Sequence, residues 1–108
     1  MNKHFILDFE TLGADPHKCA VIDCAYMVFD WDRFTSEKPY TFTELVETSH
    51  HSKLDVAYQA ITLAYKIESD TLKFWQEQDS KVKKKILPCS TDVLPITFLE
   101  DVIEVAKE

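Results

Sequence analysis

The stretch Phe5-Ile6-Leu7-Asp8-Phe9-Glu10-Thr11-Leu12-Gly13 decides the reading of this chain. Phe5, Ile6, Leu7 and Phe9 make it apolar enough for a buried strand, yet two carboxylates, Asp8 and Glu10, stand at i and i+2. Successive side chains of a strand alternate between faces, so both acids project from the same side. Two ionised acids a few ångströms apart repel each other and resist burial. A hard divalent cation, Mg²⁺ or Mn²⁺, relieves both effects. A metal site at the end of a strand is therefore expected, and phosphoryl chemistry is its commonest use.

Outward from this stretch, His4–Glu10 reads as the first strand, and Gly13 and Pro16 break the loop that follows. Cys19–Asp30 is dense in β-branched and aromatic residues and reads as a long second strand. Tyr40–Glu47 alternates Tyr40, Phe42 and Glu44 against Thr41, Thr43 and Leu45, which predicts a third strand. Connections this short pair strands antiparallel. His50-His51-Ser52 reads as loop, and Val56–Tyr65 as either a short helix or an irregular excursion. From Ser69 the period becomes helical, with Leu72, Trp75, Val82 and Ile86 in step. Asp79 interrupts that stripe, which predicts two short helices, the first capped by Ser69 or Asp70. Pro88 ends the segment, and Pro95 opens a last helix to Lys107 with Leu99, Val102, Ile103 and Ala106 as its apolar stripe. The fold class is α/β (α+β): three antiparallel strands, then helices.

At 108 residues the chain forms one small domain, and 45% apolar residues allow a core. The formal net charge of −7 argues against sequence-independent nucleic-acid binding by the bulk surface. Lys81, Lys83, Lys84 and Lys85 make the one basic cluster and read as a solvated helix face. Phe74 and Trp75 read as core rather than as a base-stacking platform. With one glycine there is no phosphate-cradling loop or dinucleotide fingerprint. Cys19, Cys24 and Cys89 lack the spacing of a zinc site and read as reduced core thiols. No signal peptide and no apolar run near 18 residues is visible, so a cytoplasmic protein with no membrane partner is expected.

The succession FILDFETLG, VIDCAYMVFD, TFTELVE and DTLKFWQEQ resembles the DEDD-type 3′–5′ exonucleases of the DnaQ-like, ribonuclease H-like superfamily, nearest the phage exodeoxyribonuclease of the DexA type. The resemblance spans roughly His4 to Lys107. It implies that Asp8 and Glu10 are catalytic metal ligands, Asp8 touching both of two Mg²⁺ or Mn²⁺ ions and Glu10 one of them. Such ions lie about 4 Å apart, one activating water and the other stabilising the leaving oxygen. Backbone near Thr11 and Leu12 would hold the terminal nucleotide of a DNA or RNA 3′ end. Asp23 matches an acidic position on the second strand and is assigned a structural, hydrogen-bonding role.

The pattern's other two acids and its general-base His or Tyr fall later in such enzymes. Asp92, Glu100 and Asp101 do not replace them, and His50 and His51 come too early. Residues 1–108 therefore read as a partial ribonuclease H-like domain, the N-terminal half of an exonuclease, inefficient alone. The strand at residues 4–10 would have a bare edge, covered by a protein partner or as a homodimer. The alternative is a catalytically incomplete binding module, for example a phage-encoded inhibitor of a host nuclease or defence complex.

Overall fold

The computed structural model describes all 108 residues, Met1–Glu108. Strands β1 (Lys3–Thr11), β2 (Val21–Asp30) and β3 (His50–Lys53) form one antiparallel sheet in the order β1-β2-β3. β1 and β2 run in register from Lys3↔Asp30 to Glu10↔Asp23, then shift at a bulge between Glu10 and Thr11. Six helices follow β2: α1 (Trp31–Phe34), α2 (Phe42–Thr48), α3 (Val56–Ile61), α4 (Ser69–Gln76), α5 (Ser80–Ile86) and α6 (Pro95–Ala106), with β3 between α2 and α3. The class is the expected mixed α/β arrangement, a three-stranded antiparallel sheet with following helices.

The third strand is not where the alternation put it. Tyr40–Glu47 lies largely in helix α2, because Thr41 and Glu44 close a capping box. The Glu44 N–H donates to Thr41 Oγ1 at 3.2 Å, and the Thr41 N–H donates to Glu44 Oε1 at 3.3 Å. The strand is the segment read as loop, His50–Lys53. It has no apolar period of its own. Long-range partners make it a strand: Ser52 Oγ meets the Tyr26 hydroxyl at 2.8 Å and His50 stacks on the Tyr26 ring.

Each helix start has a local cause. Asp55 caps α3 by accepting the Tyr58 N–H. Asp79 caps α5 by accepting the Lys81 and Val82 N–H groups, which explains the break between two short helices. Neither Ser69 nor Asp70 caps α4; its N-cap is Glu68, whose carboxylate turns away to the Ala14 N–H and the Cys19 thiol. Pro95 opens α6 as expected.

Two small cores result. On one face of the sheet Cys24, Tyr26 and Leu54 pack against Phe98 and Val105 of α6. At the end of the sheet Leu12, Ala20 and Ile22 pack against Val56, Trp75 and Ile86. The buried stripe of α6 is thus Phe98, Val102 and Val105, one residue out of step with the expected Leu99, Val102, Ile103 and Ala106. Edge contacts of Phe98 with Phe9 and Tyr26 choose the rotation, which leaves Leu99 and Ile103 half in solvent. Cys19 and Cys24 are core thiols as expected, but Cys89 is exposed. Trp75 packs inward while Phe74 is 55% exposed, so only one of that aromatic pair is core.

The buried amide of Gln59 fixes where β2 begins. Its Oε1 accepts the Val21 N–H and its Nε2 donates to the Val21 carbonyl, both at 2.8 Å. An α3 side chain therefore pairs with the backbone at the start of the strand, close to the bulge.

Candidate active site

Alternation along β1 puts Asp8 and Glu10 on the same face, their Cα atoms about 6.7 Å apart at ordinary strand rise. Their cross-strand neighbours differ in consequence. Asp8 faces Ala25, which leaves space, and Glu10 faces Asp23, which adds a third carboxylate. The three acids open into a single pocket of ≈ 250 Å³ whose wall also carries His51, Trp75 and Lys85.

The pocket keeps unneutralised negative charge. Burial, then the Asp8 charge, then the Asp23 charge hold the Glu10 carboxyl above its ordinary value. Asp23 Oδ1 is buried with no hydrogen-bond partner. Its other oxygen lies 3.6 Å from His51 Nδ1. Asp23 therefore lacks the hydrogen-bonding role the sequence suggested and stands in the acidic cluster itself. Lys53 is directly opposite Asp23 in register, yet its ammonium is committed to Asp92, 2.9 Å from each carboxylate oxygen, and to the Leu87 carbonyl. Lys85 is the one residue of the lysine cluster on the pocket wall; Lys81, Lys83 and Lys84 face solvent.

Sequence reasoning missed His51. Read as loop, it lies on β3 opposite Ala25 and, while exposed, on the wall of the acidic pocket. The histidine doublet was visible, but nothing local showed that residues 50–53 would add to the sheet beside β2.

Thr11 and Leu12 lie at the end of β1, beside the acids. The Thr11 hydroxyl donates to the Gly13 carbonyl at 2.7 Å, and the Thr11 carbonyl accepts the Trp75 indole N–H at 3.0 Å. The Leu12 N–H donates to the Ala20 carbonyl and its own carbonyl accepts the Glu68 N–H. Leu12 is buried and lines an adjoining apolar cavity of ≈ 220 Å³ with Ile22, Val56, Trp75 and Ile86.

Hard oxygen donors, an orphaned carboxylate oxygen and mutual repulsion are the donor chemistry that suits Mg²⁺ or Mn²⁺. No three His, Cys, Asp or Glu side chains converge closely enough to enclose an ion by themselves. By itself the cluster would thus form at most part of a coordination shell; Mg²⁺ commonly completes such a shell with waters and substrate phosphate oxygens. No helix is long and apolar enough to cross a membrane.

No curated protein and no solved structure matches this chain significantly. A family does match it over residues 3–104, nearly end to end and across the whole acidic pocket. The chain belongs to that family, the 3′–5′ exoribonuclease Rv2179c-like domain, and so carries a 3′–5′ exonuclease-type module.

Proposed function

We propose that this module supplies the Asp-x-Glu part of a DEDD-type, DnaQ-like active site, akin to the phage DexA type, that removes nucleotides from a nucleic-acid 3′ end in the cytoplasm. One observation carries the reading: Asp8 and Glu10 share a face of β1 and open, with Asp23, into one pocket of unneutralised charge. Asp8 and Glu10 would hold Mg²⁺ or Mn²⁺, which when bound activates water and stabilises the leaving oxygen. Thr11 and Leu12 at the rim would seat the terminal nucleotide, Lys85 would draw its phosphate, and Trp75 holds the strand end rigid through its bond to Thr11. The family description supports RNA as the first substrate to try, with DNA beside it.

A second reading draws on the open coordination shell and on the exposed β1: the chain acts as a catalytically incomplete module that binds another macromolecule. One experiment separates them. Mn²⁺ is titrated into the purified chain while its melting temperature is followed, and 3′-labelled single-stranded RNA and DNA are then added. The exonuclease reading expects a rise in melting temperature and release of mononucleotides, both lost in Asp8→Asn. A rise without release favours the binding module. Release that persists in both Asp8→Asn and Glu10→Gln would sink the metal assignment.

A further inference from the structure

Helix α5 carries Lys81, Lys83, Lys84 and Lys85, and we infer that one side of it is a track for the phosphate backbone of a single-stranded RNA whose 3′ end lies in the acidic pocket. The inference rests on the reading of that pocket as the seat of a 3′ end. It adds the path of the strand behind that end and the side chains that hold it.

A run of lysines is ordinarily a solvated helix face. This one stands apart in its charge balance and its lack of partners. Of 12 basic residues these are four; the other eight face 19 acids, a balance of −11. None of the four is in an ion pair. The cations that are paired with carboxylates are Arg33, Lys53, Lys73 and Lys107. The acids nearest in sequence are committed elsewhere: Glu77 to Lys73, Asp79 to the N–H groups of Lys81 and Val82, and Asp92 to Lys53. The cluster also works against its own helix. Lys81 stands three and four residues from Lys84 and Lys85, the spacing at which like charges repel. Cations suit the last turn of a helix, but that benefit is indifferent to which side of the helix they take.

The side they take is what points to a track. Val82 and Ile86 are half-buried, mark the packed face of α5 and line the acidic pocket. At 3.6 residues per turn, Lys85 lies about 60° round from Val82, Lys81 about 100° and Lys84 about 160°, all in the same sense. Lys83 lies about 100° round in the other sense. Lys85, Lys81 and Lys84 thus follow one another from the pocket wall out to open solvent, and Lys83 is out of line. Lys81 and Lys85 are also about 6 Å apart along the axis, so the row meets successive phosphates rather than one. A chain of net charge −7 with three carboxylates in its pocket repels a polyanion. The row supplies local attraction beside that pocket. Lysine ammoniums hold phosphate oxygens and read no base, so binding is independent of sequence.

Fluorescence anisotropy of a 5′-labelled oligouridylate tests the inference on the full chain, with EDTA present to stop cleavage. Three phosphate contacts on a single strand give a salt slope of about −2, so affinity should fall about 20-fold between about 50 and 200 mM salt. The double variant Lys81→Gln, Lys84→Gln should bring the slope to about −0.7 and the fall to about 3-fold. Lys83→Gln should leave the slope unchanged, and Lys81→Arg with Lys84→Arg should keep it, since arginine holds the same charge. All four lysines are exposed, so every variant should melt with the parent. A slope unchanged in the double variant overturns the track. So does one lowered as much by Lys83→Gln, one that only Lys85→Gln lowers, or an absence of binding at about 50 mM salt. Release of mononucleotides with Mn²⁺ is read separately. Release with unchanged slopes spares the nuclease reading and sinks the track; the stated slopes without release support the track and tell against the nuclease reading.

Discussion

Gly13 sits where a side chain has no room. A Cβ there would lie 2.1 Å from Cys19 Sγ and 2.8 and 2.9 Å from Glu68 Cδ and Cγ. The glutamate is the end of a flexible side chain and can swing, at the expense of its bonds to the Ala14 N–H and the Cys19 thiol. The sulfur cannot move as easily. Cys19 is buried, its N–H donates to the Asp15 carbonyl, and it bridges to Lys66. Relief of a contact this short requires the loop to shift by more than 1 Å, about the distance between 2.1 Å and ordinary van der Waals separation of roughly 3.5 Å. Overpacking of this kind costs about 1–3 kcal/mol, and each kcal/mol lowers the melting temperature of a domain near this size by about 4–8 °C. Gly13→Ala should therefore melt about 5–20 °C below the unaltered protein in a calorimetric scan. Cys19→Ala deletes the sulfur, so the double variant should recover part of the loss, with a coupling of about 0.5–2 kcal/mol. If Gly13→Ala melts within about 2 °C of the parent, or the double variant shows no coupling, close approach is not why glycine stands there.

Replacing Gln59 with Leu strands the Val21 N–H and carbonyl at the start of β2 and should cost about 2–4 kcal/mol, read as a lower urea midpoint at unchanged m; a midpoint within error of the parent would refute the bridging role. Thr91 hydrogen bonds hold the exposed Cys89 thiol below its usual range, while burial raises Cys19 and pushes Cys24 up to about 11. One thiol should thus react quickly with a disulfide reagent at neutral pH and two more only on unfolding, whereas three fast thiols would contradict the burial. Glu10 is held above its ordinary value, so ionising it disfavours the fold: its contribution favours the native state at low pH and is lost as pH rises through the folded value. Glu10→Gln should then gain about 0.2–1 kcal/mol at neutral pH, the range for like charges across strands, and a loss there would refute the repulsion.

The sequence by itself determined what depends on near neighbours. The shared side of Asp8 and Glu10 follows from strand alternation alone, whatever lies opposite. Asp79 splits α4 from α5 because a short acid caps its own next turn, and Pro95 opens α6 because its fixed φ suits a first turn. Gly13 and the surrounding motif also pointed to a 3′–5′ exonuclease, and the family that the chain matches is of that kind. Thr41 and Glu44 carried a capping box just as locally, but the alternation around them favoured a strand. Tertiary structure alone decided the rest. Residues 50–53 became a strand through pairing with Asp23–Tyr26 of β2, and that pairing brought His51 to the acids. The α6 stripe was chosen by Phe9 and Tyr26 among two faces of nearly equal apolarity. Register between β1 and β2 put a third carboxylate opposite Glu10, with one oxygen buried and without a hydrogen-bond partner. Periodicity along a chain says which residues share a side; what stands across from them is set by contacts between residues far apart in sequence, which no local pattern encodes.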